Sequence, residues 1–357
     1  MKKVGILNSG GDCSGLNAVI ASIVKTGTDL GYQFVGFEKG WEGVLSPMMY
    51  RPLGRPEVRG ISYLGGTILG TVNKGRFGAK AAEGGGRRIP DAVLQEAKQN
   101  LQAIGVDGLI VIGGDGTLAG AEQLCQMGVK IVGVPKTIDN DLSATDRTFG
   151  FSTAAQVVVD ALDRIHTTAS SHGRVILVET MGRHTGWIAL RAGLAGGAHA
   201  ILLPEFEFEL AKLVEYLRRR QRQGKASVVV VAEGAKVGGA SVAEVLTAEQ
   251  EVHLGGVSGY LMRQLEMAAP GEFEMRNTVL GHVQRGGTPN SADRVIAKSY
   301  GCEAIKAYHR GEFGKVVVYN HLHMSLEPLD ACVGSLKRVT CDTMEYVTAQ
   351  DLGIFMH

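Results

Sequence analysis

The sequence has no long hydrophobic run. Although 45% of its 357 residues are hydrophobic, no stretch approaches the roughly 18 apolar residues that a membrane span requires. It has no excess of either charge: 37 basic against 36 acidic residues give the whole chain no attraction for nucleic acid or a membrane surface, so any anion site must come from local placement. Small molecules are the expected partners, with no nucleic acid and no membrane. Cysteine is sparse and odd in number. Cys13, Cys125, Cys302, Cys332 and Cys341 form no Cys-x-x-Cys pair, which argues against a disulfide framework or a zinc site and fits a reducing compartment. The start, MKKVGILNSGGD, enters a strand pattern without a secretory apolar core, so the expected location is cytoplasmic.

Glycine is what the chain has in plenty, 50 residues, about twice its usual share near 7%. Pairs fall at 10–11, 65–66, 113–114 and 286–287, where backbone turns tightly or approaches a ligand closely. Short β-rich runs alternate with helical patterns: KVGIL then GLNAVIASIVKTG, GLIVIGG then TLAGAEQLCQMG, later RVILVET then GWIALRAGLAGG. Such a cadence predicts an α/β fold of doubly wound, Rossmann-like lobes with mainly parallel sheets buried on both faces. A chain this long exceeds a single core, so two lobes are expected. One comprises residues 1–150 plus about 278–320, the other 151–277 plus about 321–357. The latter begins with a long helix in STAAQVVVDALDRIHTTASS, and residues 321 to 357 carry the weakest pattern. AAEGGGRRIP reads as a surface loop.

In a doubly wound sheet the loops leaving the carboxyl ends of strands line the ligand crevice. NSGGDCSG, GGDGT and PKTIDND all qualify. Amides of Gly10 and Gly11 beside a helix start suit a phosphate, although a bare glycine turn accounts equally well for that motif alone. Asp115 is a candidate Mg²⁺ ligand, since magnesium typically takes one or two carboxylates plus phosphate oxygens. A turn cap is its other reading. The third loop adds Asp139 as a base for a hydroxyl, Asp141 as a further carboxylate, and Lys136 and Thr137 as donors to phosphate oxygens, the groups that phosphoryl transfer to a hydroxyl calls for. Arginines in glycine-flanked places, Arg174, Arg183, Arg276 and Arg285, with His282 three residues before the last, suit a phosphorylated acceptor.

GILNSGGDCSGLNA, GGTILG, IGGDGTL, PKTIDND, ETMGRHTGW, VVAEG and LGHVQRGG occur in that order. Together they resemble the phosphofructokinase family, which phosphorylates fructose 6-phosphate at its 1-hydroxyl in glycolysis. The resemblance implies that Gly11 holds a terminal phosphate, with Gly114, Gly116, Thr117 and Lys136 also on the donor side. It implies Asp115 on Mg²⁺ and Asp139, with Thr137 and Arg183, in catalysis. Thr137, Met181, Gly182, Arg183 and Glu233 would hold the sugar, and Arg174, Arg276, His282 and Arg285 its 6-phosphate side. A neighbouring subunit supplies some of those arginines in the family, implying a homodimer or homotetramer with shared active sites.

Two positions bear on the donor. Gly116 follows the metal Asp, where pyrophosphate users of the family place a second Asp; a carboxylate there would crowd and repel the α-phosphate of ATP, whereas glycine leaves room. Lys136 precedes TIDND, where typical bacterial ATP users have glycine and pyrophosphate users lysine. The steric requirement at Gly116 favours ATP, and Trp41 in EKGWEGVL matches a family position near the nucleotide, with core packing its other reading. Ala21 stands at the first basic position of the family's effector site, with Lys25 and Arg55 retained at the others, so the usual regulation is not expected. Asn73 replaces an arginine, leaving Lys74 and Arg76 as candidates for contacting the donor. A pyrophosphate-dependent enzyme, a non-catalytic sugar-phosphate and nucleotide-binding subunit, and a lipid or dinucleotide kinase are the alternatives. The three acids together oppose the second, and PKTIDND with GHVQRGG the third.

Overall fold

A computed structural model describes residues 2–72, 75–77, 80–81, 87–237, 240–241 and 256–357. Asn73, Lys74 and residues 82–86 of the AAEGGGRRIP stretch lie outside the described residues. The chain divides into two compact units: one runs to Thr153 and resumes over Arg285–Leu336, the other comprises Ala154–Gln284 and Lys337–His357.

In the first unit the strands are β1 (Lys3–Asn8), β2 (Gln33–Phe37), β3 (Tyr50–Leu53), the short pair β4 (Lys80–Ala81) and β5 (Arg87–Arg88), β6 (Val106–Gly113) and β7 (Lys130–Pro135). The second unit contributes β8 (Val175–Thr180), β9 (Ala200–Leu202), β10 (Ser227–Ala232), the pair β11 (Lys236–Val237) and β12 (Ala240–Ser241), and β13 (Met275–Val279). β14 (Lys315–Asn320) and β15 (His323–Pro328) return to the first. Its helices are α1 (Leu16–Asp29), α2 (Asp91–Ala103), α3 (Asp115–Gln126) and the first turn of α4 (Phe151–His172). The second unit has the rest of α4, α5 (Trp187–Ala195), α6 (Leu210–Arg222) and α7 (Val257–Ala268); α8 (Ser291–Arg310) is in the first and α9 (Met344–Asp351) in the second.

The first sheet has the order β15-β14-β7-β6-β1-β2-β3, parallel from β14 to β2 and closed by an antiparallel strand at each edge. Strand order reverses between β1 and β6, because β1 leads to β2 on one side while β6 leads to β7 on the other. That is the switch point outside which doubly wound sheets bind ligands. VGILN of β1 and GLIVIG of β6 are almost wholly buried, the continuous apolar runs of a sheet covered on both faces. α1 packs on α8, and Asn290 caps α8 by accepting from Asp293 N at 3.0 Å. The second sheet, β13-β8-β10-β9, is parallel throughout, over a core of Leu177, Leu202, Val229, Val231, Leu261 and Leu265.

The units exchange chain at different points from the sequence expectation. Residues 321–336 belong with the first unit because β15 pairs antiparallel with β14 from Lys315↔Pro328 to Asn320↔His323. Thr278 and Val279 stay with the second, paired with Val178 and Glu179 of β8. From Lys337 onward the chain docks on the second unit: Trp187 Nε1 donates to Lys337 O at 2.7 Å, and Phe355 bridges to Ala200 of β9. All five cysteines are free. Among the described residues no helix is long and apolar enough to cross a membrane.

Candidate active site

The loops that follow β1, β6 and β7 reach the carboxyl edge of the first sheet at the switch point and enclose a cavity of about 350 Å³. Gly10 turns the chain away from β1 with φ of +84°, a left-handed conformation that a side chain would strain. Its amide donates to Val72 O at 3.3 Å, so of the two amides read as a phosphate cradle, that of Gly10 is already bonded to backbone. The helix whose N-terminus lines the cavity is α3, not α1: Gly114, Asp115, Gly116 and Thr117 all face it, whereas α1 starts only at Leu16. An α-helix N-terminus carries partial positive charge, which suits phosphate. Gly116 is exposed in the cavity wall.

Lys136 is only 4% exposed, and its Nζ donates to Gly11 O. Burial pulls its ammonium below the ordinary lysine range, so the charge is costly unless an anion shares the site. Arg285 Nη1 donates to Asp12 O at 3.2 Å, and the guanidinium lies so near Gly11 that a Cβ there would come 2.6 Å from Nη1. The structure therefore puts Arg285 on the wall beside Gly11, where a donor phosphate is expected, although the resemblance assigns it to the sugar phosphate. Cys13, in the same motif, is fully buried, and burial pushes its thiol up to about 12, so it stays protonated.

The PKTIDND loop supplies the acids. Asp139 and Thr137 line the cavity; Asp139 N donates to Thr137 Oγ1 at 3.1 Å, and that hydroxyl lies 3.4 Å from Asp139 Oδ2. Asn140 takes the turn with φ of +52° and accepts from Thr148 N at 3.0 Å, which fixes the carboxylate's base. Asp141 is not among the lining residues. Asp115 lines the cavity and accepts from Gly334 N at 2.9 Å. Among the described residues no three His, Cys, Asp or Glu side chains gather as a metal cage. That suits Mg²⁺, which commonly binds through a carboxylate and substrate phosphates and keeps several waters.

In the second unit, Met181, Gly182 and Arg183 leave the carboxyl end of β8, and Glu233 leaves that of β10. They meet: Glu233 N donates to Thr180 O at 2.9 Å, Gly234 N to Gly182 O at 3.1 Å, and Glu233 Oε1 lies 3.5 Å from Gly182 N. Gly182 needs its glycine, with φ of +138°. His282 is exposed on the turn beyond β13, at the same edge of this sheet, and Gln284 accepts from Met181 N at 3.2 Å. Arg174 and Arg276 form a separate group. Both bind Glu274, at 2.7 and 3.2 Å, at the amino ends of β8 and β13. The six residues of β8 separate that group from Arg183 by about 20 Å at some 3.3 Å per residue.

Glu274, which ties Arg174 to Arg276, is a residue that sequence reasoning did not single out; its only signal was EFEMR, an acid two positions before Arg276. Arg76 is tied to Glu42, Glu96 and Ser46 O and does not line the cavity. Of the effector positions, Ala21 is buried, and Arg55 pairs with Asp29 and lies 3.4 Å from Lys25 O.

Comparison with known proteins points to one family. The family model described as Phosphofructokinase matches residues 3–308. A protein of Chloroflexus aurantiacus named ATP-dependent 6-phosphofructokinase is 45% identical over 99% of this chain and 97% of its own. One of Streptomyces coelicolor named pyrophosphate–fructose 6-phosphate 1-phosphotransferase is 46% identical over 99% of each. The phosphofructokinase of Saccharomyces cerevisiae superposes with a TM-score of 0.76 at 30% identity, over 92% of this chain and 45% of the yeast chain. With 306 of 357 residues inside the family match and both curated relatives aligned almost end to end, the chain belongs to the phosphofructokinase family.

Proposed function

We propose that this chain transfers the terminal phosphoryl group of ATP to the 1-hydroxyl of fructose 6-phosphate, yielding fructose 1,6-bisphosphate, as a cytoplasmic glycolytic kinase. The observation that carries the proposal is that Asp139 shares one cavity with a helix N-terminus, two buried or half-buried cations and Asp115. Asp139 takes the hydroxyl proton, and Thr137 orients that carboxylate. Lys136 and Arg285 neutralise charge that develops on the transferred phosphoryl group, as fixed cations already in place before the reaction. Asp115 would hold Mg²⁺, which supplies further charge neutralisation when bound. Met181, Gly182, Arg183, Glu233 and His282 bind the sugar.

The 6-phosphate falls to Arg174 and Arg276. Their separation from Arg183 along β8 is too long for one hexose phosphate, so in this proposal they serve the site of a neighbouring copy. A homodimer or homotetramer with shared sites follows.

Support for ATP comes from Gly116, whose lack of a side chain leaves backbone room, and from a cavity that extends past the phosphate cradle to Trp41 and Phe77, beyond what a bare pyrophosphate fills. A second reading, pyrophosphate as donor, draws on Lys136, a buried cation beside the cradle, and on the name of the Streptomyces relative. Initial rates with fructose 6-phosphate and each donor in turn separate the two. Turnover with ATP well above that with pyrophosphate is expected; turnover with pyrophosphate and none with ATP overturns the assignment.

A further inference from the structure

Part of the cavity wall is aromatic. Trp41, in the 3₁₀ turn Gly40–Val44, stacks on Phe77 with ring centroids 4.2 Å apart and planes 11° from parallel. The indole is 5% exposed, and its Nε1 is buried with no hydrogen-bond partner among the described residues. No polar contact among the described residues fixes that ring; it is held by the core it shares with Leu7, Val44 and Leu94 and by its stack on Phe77.

Phe77 packs in that same core, and the backbone that leads to it is tied to Glu42, next to Trp41 in sequence. Glu42 Oε1 accepts from the backbone N of Arg76 at 2.6 Å, and Oε2 lies 3.7 Å from Arg76 Nε. Arg76 is braced in turn by Glu96 at 3.3 Å and Ser46 O at 2.9 Å. The approach is close: a Cβ added at Gly75 would come 2.2 Å from Glu42 Oε1. Glu42 also lines the cavity itself. Its charge, partly offset by Arg76 at 3.7 Å and with Lys39 also on the wall, opposes a polyanion at that point. It is tolerable where the bound molecule presents an uncharged part.

Resting on the reading of this cavity as the donor site, we infer that Glu42 is a positioning residue that selects the donor. It clamps Gly75–Phe77 so that Phe77 and Trp41 form a fixed apolar wall for a nucleobase, and its charge disfavours a bare polyphosphate chain at that end. Base stacking on aromatic side chains is sequence-tolerant, so the wall selects for a base rather than for adenine.

The test uses the full chain carrying Trp187→Phe, which leaves Trp41 as the only tryptophan. Calorimetric titrations compare ATP with inorganic tripolyphosphate, the same phosphate chain without a nucleoside. Glu42→Ala should weaken ATP about tenfold, a typical loss for one base–aromatic contact, while tripolyphosphate is not weakened. Trp41 emission should shift to the red as Phe77 leaves. Gly75→Ala, which pushes on the clamp from the other side, should reproduce both effects. Glu42→Gln keeps an acceptor oxygen and should restore emission and ATP affinity while tightening tripolyphosphate. Equal loss of both ligands, or unmoved emission in Glu42→Ala, overturns the clamp. A wild-type chain that binds tripolyphosphate as tightly as ATP overturns donor selection and with it the ATP reading, while the emission arm still reports on the clamp.

Discussion

At the scale of single residues, Asp139→Ser isolates the proton transfer. Serine preserves a small polar side chain on a turn fixed by Asn140 and Thr148, so the loop keeps its shape while the carboxylate is lost. Turnover should fall by about 10²- to 10⁴-fold, the usual contribution of a general base, with little change in the affinity for either substrate. Steady-state kinetics with both substrates varied checks this, and near-wild-type turnover would put the base elsewhere. Asp139 was legible in the sequence because it stands in a loop directly after an apolar strand, beside glycines and a lysine. Glu42, Glu179 and Glu274 were not. Each has a partner far along the chain, the Arg174–Glu274 pair 100 residues apart, and no local pattern records such a meeting; only Glu274 also has a near one, Arg276 two positions on.

Among the elements, strands and helices of the α/β cadence could be read from their continuous apolar runs, whereas β15 could not. HMSLEP instead alternates polar with apolar residues, Met324 and Leu326 half-buried between exposed neighbours, the period-2 pattern of an edge strand, which a search for continuous apolar runs passes over. The N-terminus of α7 was equally hidden. Glu179, 2% exposed at the end of β8, accepts from Gly256 N, Ser258 N and Ser258 Oγ, and so caps a helix begun 78 residues later. At the entry to β9, His199 Nδ1 accepts from Val228 N at 2.9 Å, which requires a neutral ring with the proton on Nε2. Burial first, then the charges of Arg220, His166 and Lys225, depress this histidine from 6.5 to about 4. The unfolded chain therefore binds the extra proton first: the stabilisation is complete above pH 6.5 and is lost as pH falls toward 4. Discounted for partial exposure, the loss is on the order of 1 kcal/mol, or about 2–4 °C in Tm. Thermal melts at pH 7 and pH 5 should show a steeper fall for the wild type than for His199→Asn, whose side chain does not titrate. Parallel slopes would acquit His199.

For the whole molecule, the decisive geometry is internal to the second sheet. A hexose phosphate spans far less than the length of β8, yet Arg183 and Glu233 stand at the carboxyl edge, and Arg174 and Arg276 at the amino edge. If both sets serve one sugar phosphate, two chains must contribute to each site. Asp139→Ser and Arg276→Ala chains should then each be nearly inactive alone, because every site in either homo-oligomer lacks one essential group. Dissociated, mixed in equal amounts and reassociated, they should regain activity. In a mixed dimer one site collects both lesions and the other collects neither. Random pairing makes half the dimers mixed, so recovery should approach about a quarter of the wild-type rate. The same mixing with two chains that both carry Asp139→Ser gives the baseline. Recovery no higher than that baseline, in a mixture shown by mass to contain mixed oligomers, would mean that each chain builds its site alone, and Arg174 and Arg276 would then have to be removed from the sugar-phosphate set.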